Sequence, residues 1–157
     1  MSSAIGFHEN LVNMAEIILA PSKSRGQDHD IALICNDEMV TYRQLWSRVN
    51  QAGNAFLGIE ITAGDRVILM VRDTPAFFYV YLGLMTIGAV PIAINLRLSN
   101  TDVAYTMNDS QAKAIVLDDI FLKDYQNAAK DITLEPKVIN TDVEYTNFYY
   151  LHQTLQE

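Results

Sequence analysis

An α/β fold, with a mostly parallel sheet covered by helices on both faces, is what this sequence predicts, and three observations carry it. Runs such as Arg66-Val-Ile-Leu-Met-Val71 are apolar without alternation, the pattern of strands buried on both faces. Segments of helical periodicity, several opened by capping residues, lie between these runs. The two patterns alternate along the chain, as crossover connections between parallel strands require.

The first elements are local. Ile31–Cys35 and Met39–Tyr42 flank the polar turn Asn36-Asp37-Glu38, so a short β-hairpin is expected over residues 31–42. Thr41 and Gln44 have capping-box spacing, in which the hydroxyl accepts from a free backbone N–H and the amide reaches back. The helix behind them places Leu45, Val49, Ala52 and Phe56 on one stripe and ends near Gly58. Gly64-Asp65 makes a turn into the strand Arg66–Val71.

The same unit then repeats. Thr74-Pro75 reads as a cap and a first-turn proline, opening a helix over Pro75–Ile87 that is apolar nearly all round. Gly88 closes it, and a strand over Val90–Ile94 follows. Ser99 and Asp102 start a helix running to about Asn108. Ala112–Leu117 is the next buried strand, a helix covers Ile120–Lys130, and Lys137–Asn140 is a short strand. With 157 residues and no linker or low-complexity tract, residues 1–157 are expected to form a single domain.

Composition narrows the function classes. Half the residues are hydrophobic and 19% are charged, the balance of an ordinary globular chain. A formal charge of −8 argues against a nucleic-acid surface, which needs clustered Lys and Arg. Thr74–Leu96 carries no charge, yet Gly83, Gly88, Pro91 and Asn95 punctuate it, so a buried helix and strand are expected and no membrane span. The N-terminus lacks a basic signal region, which predicts a cytoplasmic protein. The single Cys35 excludes an intramolecular disulfide and reads as a small buried side chain.

No self-contained active site is visible. There is no G-x-x-x-x-G-K-[ST] loop and no G-x-G-x-x-G after a strand. His8, His29 and His152 are scattered, without metal-ligand spacing, and read as surface residues. Asp118-Asp119 follows a strand, where a pair of carboxylates can hold Mg²⁺. The expected reading is a solvated cap before the helix at Phe121. No catalytic and no metal-binding residue is assigned.

Three stretches nevertheless carry a signature in order: Val40-Thr-Tyr-Arg-Gln-Leu45, Ala63-Gly-Asp-Arg-Val67, and Leu82-Gly-Leu-Met-Thr-Ile-Gly-Ala-Val-Pro-Ile-Ala-Ile-Asn95. Arg97-Leu-Ser and Asn108-Asp-Ser-Gln-Ala-Lys113 continue it. From about Asn10 to Leu117 the chain resembles the N-terminal subdomain of the adenylate-forming (AMP-binding) superfamily of acyl- and aryl-CoA ligases. Val90-Pro-Ile-Ala-Ile-Asn95 is most similar to the benzoate-CoA ligase type. The resemblance implies an acid–thiol ligase that joins ATP and a small, often aromatic, carboxylic acid into an acyl-adenylate, from which the CoA thiol displaces AMP. It implies ATP, CoA and Mg²⁺ for the full-length enzyme. The phosphate-binding loop of that family lies beyond the matched segments, so no cofactor is expected on this chain alone, which is expected to be inactive.

One site residue follows from the resemblance. Asn95-Leu-Arg97-Leu is similar to an "NPRL" stretch whose arginine, in some aryl-CoA ligases, lies near the CoA phosphates. Here Leu96 replaces the proline. A guanidinium suits phosphate because it is always charged and binds in a bidentate manner. The competing reading is a free-standing flavodoxin-like binding or signalling module. A helix apolar on every side but covered by a sheet on only one also predicts an exposed apolar face on Pro75–Ile87, and through it a homodimer.

Overall fold

The computed structural model describes residues 13–141 and 149–150. Their order is α1 (Met14–Ser24), β1 (Ile31–Cys35), β2 (Glu38–Thr41), α2 (Tyr42–Gly58), β3 (Arg66–Met70), α3 (Pro75–Thr86), β4 (Val90–Ala93), α4 (Asn100–Ser110), β5 (Ala114–Leu117), α5 (Leu122–Ala128), β6 (Lys137–Asn140) and β7 (Tyr149–Tyr150). Short 3₁₀ turns at Asp119–Phe121 and Ala129–Asp131 bracket α5, so the single helix expected there is broken at both ends.

β1 and β2 form the expected antiparallel hairpin. The remaining strands make one sheet in the order β4-β3-β5-β6-β7, in which β4, β3, β5 and β6 are parallel and β7 is antiparallel. Pro91 lies in β4, an edge strand, where a missing backbone N–H leaves no gap between paired strands.

Continuous apolar strands are explained by two cores. Val67, Leu69 and Val71 of the β3 segment, with Ala114 and Val116 of β5, face Ala52 and Phe56 of α2 and Val80 and Leu84 of α3. Ile68, Met70, Ile115 and Leu117 face the other way, onto Val103 and Met107 of α4 and Tyr125 of α5. Strand side chains alternate between faces, so a run apolar at every position needs a core on both.

A third core covers the outer side of α3. Tyr79 and Leu82, 5% and 4% exposed, pack with Ala15 and Leu19 of α1 and with Leu45 and Val49 of α2. The apolar face expected to be exposed on this helix is therefore largely covered, and Phe78 is its one large side chain above a third exposed. The expectation failed because α1 has no counterpart in the elements read from sequence. Pro21 inside that helix reads as a breaker, while Asn13 caps it by accepting from the Ala15 N–H at 2.9 Å and donates to the Met85 carbonyl at 2.5 Å.

α2 and α3 meet closely through small residues. A Cβ on Gly83 would lie 2.7 Å from the Ala52 Cβ and 3.0 Å from the Gly53 nitrogen. The Thr41 capping box forms as expected, with Gln44 N–H donating to the Thr41 hydroxyl and Thr41 N–H to the Gln44 amide. Thr74 takes the cap position of α3 without a side-chain cap bond, and Pro75 supplies the first-turn geometry. Cys35 is half-buried, contrary to expectation, because it sits in a two-stranded hairpin with Ile31 and Ile34 at least half exposed.

Candidate functional site at the carboxyl edge of the sheet

The strand order places a topological switch between β3 and β5. From β3 the chain crosses to β4 on one side, then returns past β3 to β5 on the other. Open α/β sheets bind ligands outside the carboxyl ends of their strands at such a point. The segments that emerge there are Arg72–Thr74 after β3, Asn95–Ser99 after β4, Asp118-Asp119 after β5 and Thr141 after β6.

Arg97 occupies a turn in the second of these segments. Asn95 builds the turn, accepting the Arg97 N–H on its side-chain oxygen at 2.9 Å and the Leu98 N–H on its carbonyl at 3.2 Å. Leu96 and Leu98 anchor it by packing against the α4–α5 core, and Arg97 between them is exposed. No carboxylate among the described residues forms an ion pair with its guanidinium. A fixed backbone carrying an unneutralised guanidinium is a workable contact for a phosphate.

Asp118 departs from the expected solvated cap. It is 2% exposed, and its Oδ2 accepts from the Arg72 Nε at 2.6 Å and the Arg72 backbone N–H at 2.9 Å. Its Oδ1 accepts from the Thr141 hydroxyl. One carboxylate thus ties together the ends of β3, β5 and β6. Asp119, next in sequence, is exposed and belongs to the 3₁₀ turn, so the two do not converge on one ion. Among the described residues no group of three His, Cys, Asp or Glu side chains is placed to hold a metal. His29 is exposed beside Asp28, while His8 and His152 lie outside the described residues.

The signature stretches meet mostly at the opposite edge. Asp65 and Lys113 pair at 2.8 Å, and the Lys113 ammonium also donates to the Glu60 carbonyl at 2.6 Å. The Lys113 N–H donates to the Arg66 carbonyl and the Gly64 N–H to the Gly88 carbonyl, both at 2.9 Å. Gly88, at φ +76°, turns the chain where a side chain would meet the Ala63 Cβ at 3.0 Å. Gly-Asp-Arg, Gly-Ala-Val-Pro and Asp-Ser-Gln-Ala-Lys are therefore one buttress at the amino ends of the strands. They hold the scaffold and touch none of the carboxyl-edge groups.

The described strand ends carry no glycine-rich phosphate loop. The loops after β3, β4 and β5 contain no glycine, and α3 begins with a proline that has no N–H.

The pattern that describes AMP-binding enzymes matches residues 22–152. This chain belongs to the AMP-binding enzyme family. Among its AMP-binding relatives, the 3-hydroxybenzoate/4-hydroxybenzoate–CoA ligase of Thauera aromatica is 34% identical over 128 residues, covering 82% of this chain and 24% of the relative. The crotonobetaine/carnitine–CoA ligase of Escherichia fergusonii is 33% identical over 122 residues, 74% of this chain and 24% of the relative. The chain thus spans about a quarter of the length of these family members. The benzoate CoA ligase from Burkholderia xenovorans LB400 shares the fold with a TM-score of 0.75 at 23% identity, over 83% of this chain and 26% of that one. An anthranilate CoA ligase solved with anthranoyl-AMP also gives 0.75, at 24% identity over 80% and 24% of the two chains. The AMP-binding fold expected from sequence is thereby established, hairpin included.

Proposed function

We propose that this chain is the N-terminal subdomain, spanning residues 1–157, of an ATP-dependent carboxylate–CoA ligase acting on an aromatic or other small carboxylic acid. The observation that carries the proposal is the 34% identity, over 82% of the chain, to a hydroxybenzoate–CoA ligase. The full-length enzyme uses ATP with Mg²⁺ to make an acyl-adenylate, and CoA then takes the acyl group as a thioester. The free-standing flavodoxin-like module is not favoured, since family membership accounts for the same fold.

The present residues have a limited role in that reaction. The doubly covered sheet is a rigid base, and Asp118 fixes the relative position of three strand ends. Arg97 is the one residue assigned to a ligand, as a contact for a CoA phosphate. No proton transfer or nucleophile is assigned to this chain. The enzyme works in the cytoplasm. Association of two copies belongs to the same proposal, although the α3 face expected to carry it is largely covered by α1 and α2.

Kinetics of the full-length enzyme test this reading. Its pyrophosphate release and thioester formation are measured with a panel of benzoates and short-chain acids. Arg97→Ala should raise the KM for CoA and leave acid-dependent pyrophosphate release nearly unchanged. A charged hydrogen bond contributes about 1.5–3 kcal/mol, roughly 10- to 100-fold in affinity. An unchanged CoA dependence would remove Arg97 from the site, and failure of every acid tested would remove the substrate class.

A further inference from the structure

We propose that a cavity between α1 and the first turns of α2 binds a small neutral aromatic molecule carrying one hydrogen-bond donor. The cavity measures about 450 Å³, within the range of about 300–1,000 Å³ usual for small-molecule sites. None of its lining residues belongs to the strand-end loops that carry Arg97, Arg72 and Asp118. It lies at the end of α2 remote from the lysine-held carbonyls of Ile59 and Glu60. It is thus a second site, separate from the one assigned to CoA.

Its lining selects the ligand. Leu19, Tyr42 and Trp46 supply an apolar body with two aromatic rings, against which another ring packs edge-to-face or offset. The polar groups are already partly used. The Ser22 hydroxyl donates to the Leu19 carbonyl at 2.7 Å. The Arg43 guanidinium donates twice to one Asp28 oxygen, from Nε at 3.0 Å and Nη2 at 2.6 Å. The Ser22 donor and two of the five Arg43 N–H groups are thus committed, and the Asp28 carboxylate has acceptor capacity left, since an ionised carboxylate offers about four lone-pair sites. A ligand donor can use that capacity on Asp28. The hydrogen bond from Arg43 also holds the Asp28 carboxyl below the usual carboxylate range, so it remains an acceptor at neutral pH. Asp28 and Arg43 are paired with each other, so neither is left as a dedicated counter-charge for an ionic ligand.

The chain contains one tryptophan, and Trp46 lines the cavity, so its fluorescence reports occupancy directly. The experiment titrates the 157-residue protein with 4-ethylphenol, ethylbenzene and 4-ethylbenzoate. Saturable change is expected with 4-ethylphenol, at least fivefold weaker binding with ethylbenzene, and none with the carboxylate. Asp28→Ala should bring the phenol down to the affinity of ethylbenzene. Ser22→Leu, which places apolar bulk in the cavity, should weaken both at least tenfold, with circular dichroism confirming that each variant folds. If Ser22→Leu does not fold, the wild-type ligand order and Asp28→Ala decide the question. No saturable signal in the wild type, equal affinities for the three compounds, or a phenol preference that survives Asp28→Ala would overturn the proposal.

Discussion

Asp65 shows how a residue can mark a family without taking part in its chemistry. Its Oδ2 accepts from the Thr62 N–H at 2.7 Å, the Thr62 hydroxyl at 3.1 Å and the Lys113 ammonium at 2.8 Å. Burial pushes the carboxyl up, and the Lys113 and Thr62 donors together outweigh it, so Asp65 titrates below the ordinary value. A depressed value in the folded state contributes stability above the unfolded pKa of about 3.9, and that stability is lost as pH falls through the folded value. Asp65→Asn should therefore flatten the loss of stability below about pH 4, as read from urea unfolding across pH 3–7; an unchanged profile would count against the pairing. At the other edge, Asp118→Ala removes the acceptor for Arg72 and Thr141. Because Arg72 is half exposed, the expected loss is about 1–3 kcal/mol, smaller than for stranding a fully buried charge. Equilibrium unfolding with no change in midpoint would contradict the tie between the three strands.

At the scale of elements, the α2–α3 contact and the two ends of α2 make separable predictions. Alanine at Gly83 gains helix propensity, about 1 kcal/mol, but its Cβ would sit 2.7 Å from the Ala52 Cβ and 3.0 Å from the Val49 carbonyl. Overpacking of this kind costs about 1–3 kcal/mol, so Gly83→Ala should destabilise. At Gly58 nothing lies within 4 Å of the added Cβ, and Gly58→Ala should be neutral or slightly stabilising. Matching midpoints for the two variants in urea would refute the close crossing. Thr41→Ala removes one half of the capping box and should cost about 1 kcal/mol.

For the whole molecule, the sheet is buttressed at its amino edge while its carboxyl edge holds Arg97 and a neutralising Arg72–Asp118 pair. With no glycine-rich loop at the described strand ends, the isolated chain should bind ATP negligibly and release no pyrophosphate above background with any aryl or fatty acid. Measurable release would place an adenylating site on this chain. The proposed self-association should appear in light scattering as a concentration-dependent rise in mass. A monomer at all concentrations would end that part of the proposal.

Period and punctuation in the sequence were enough to determine the doubly covered parallel sheet, the hairpin, the Thr41 cap and family membership. These are local or nearly local: a continuous apolar run needs two cores, and Gly88 needs positive φ, whatever lies far away. Burial of individual polar side chains was decided only in three dimensions. Asp118 looked solvated because its partners, Arg72 and Thr141, are 46 and 23 residues distant and reach it only through the strand order. α1 is not legible locally, since Pro21 disfavours a helix, while Leu19 and the Asn13–Met85 bond stabilise one through tertiary contact. Coverage of α3 followed from that, and so did the cavity beside Trp46. An apolar helix reveals that it must be buried, and only the packed structure shows which elements bury it.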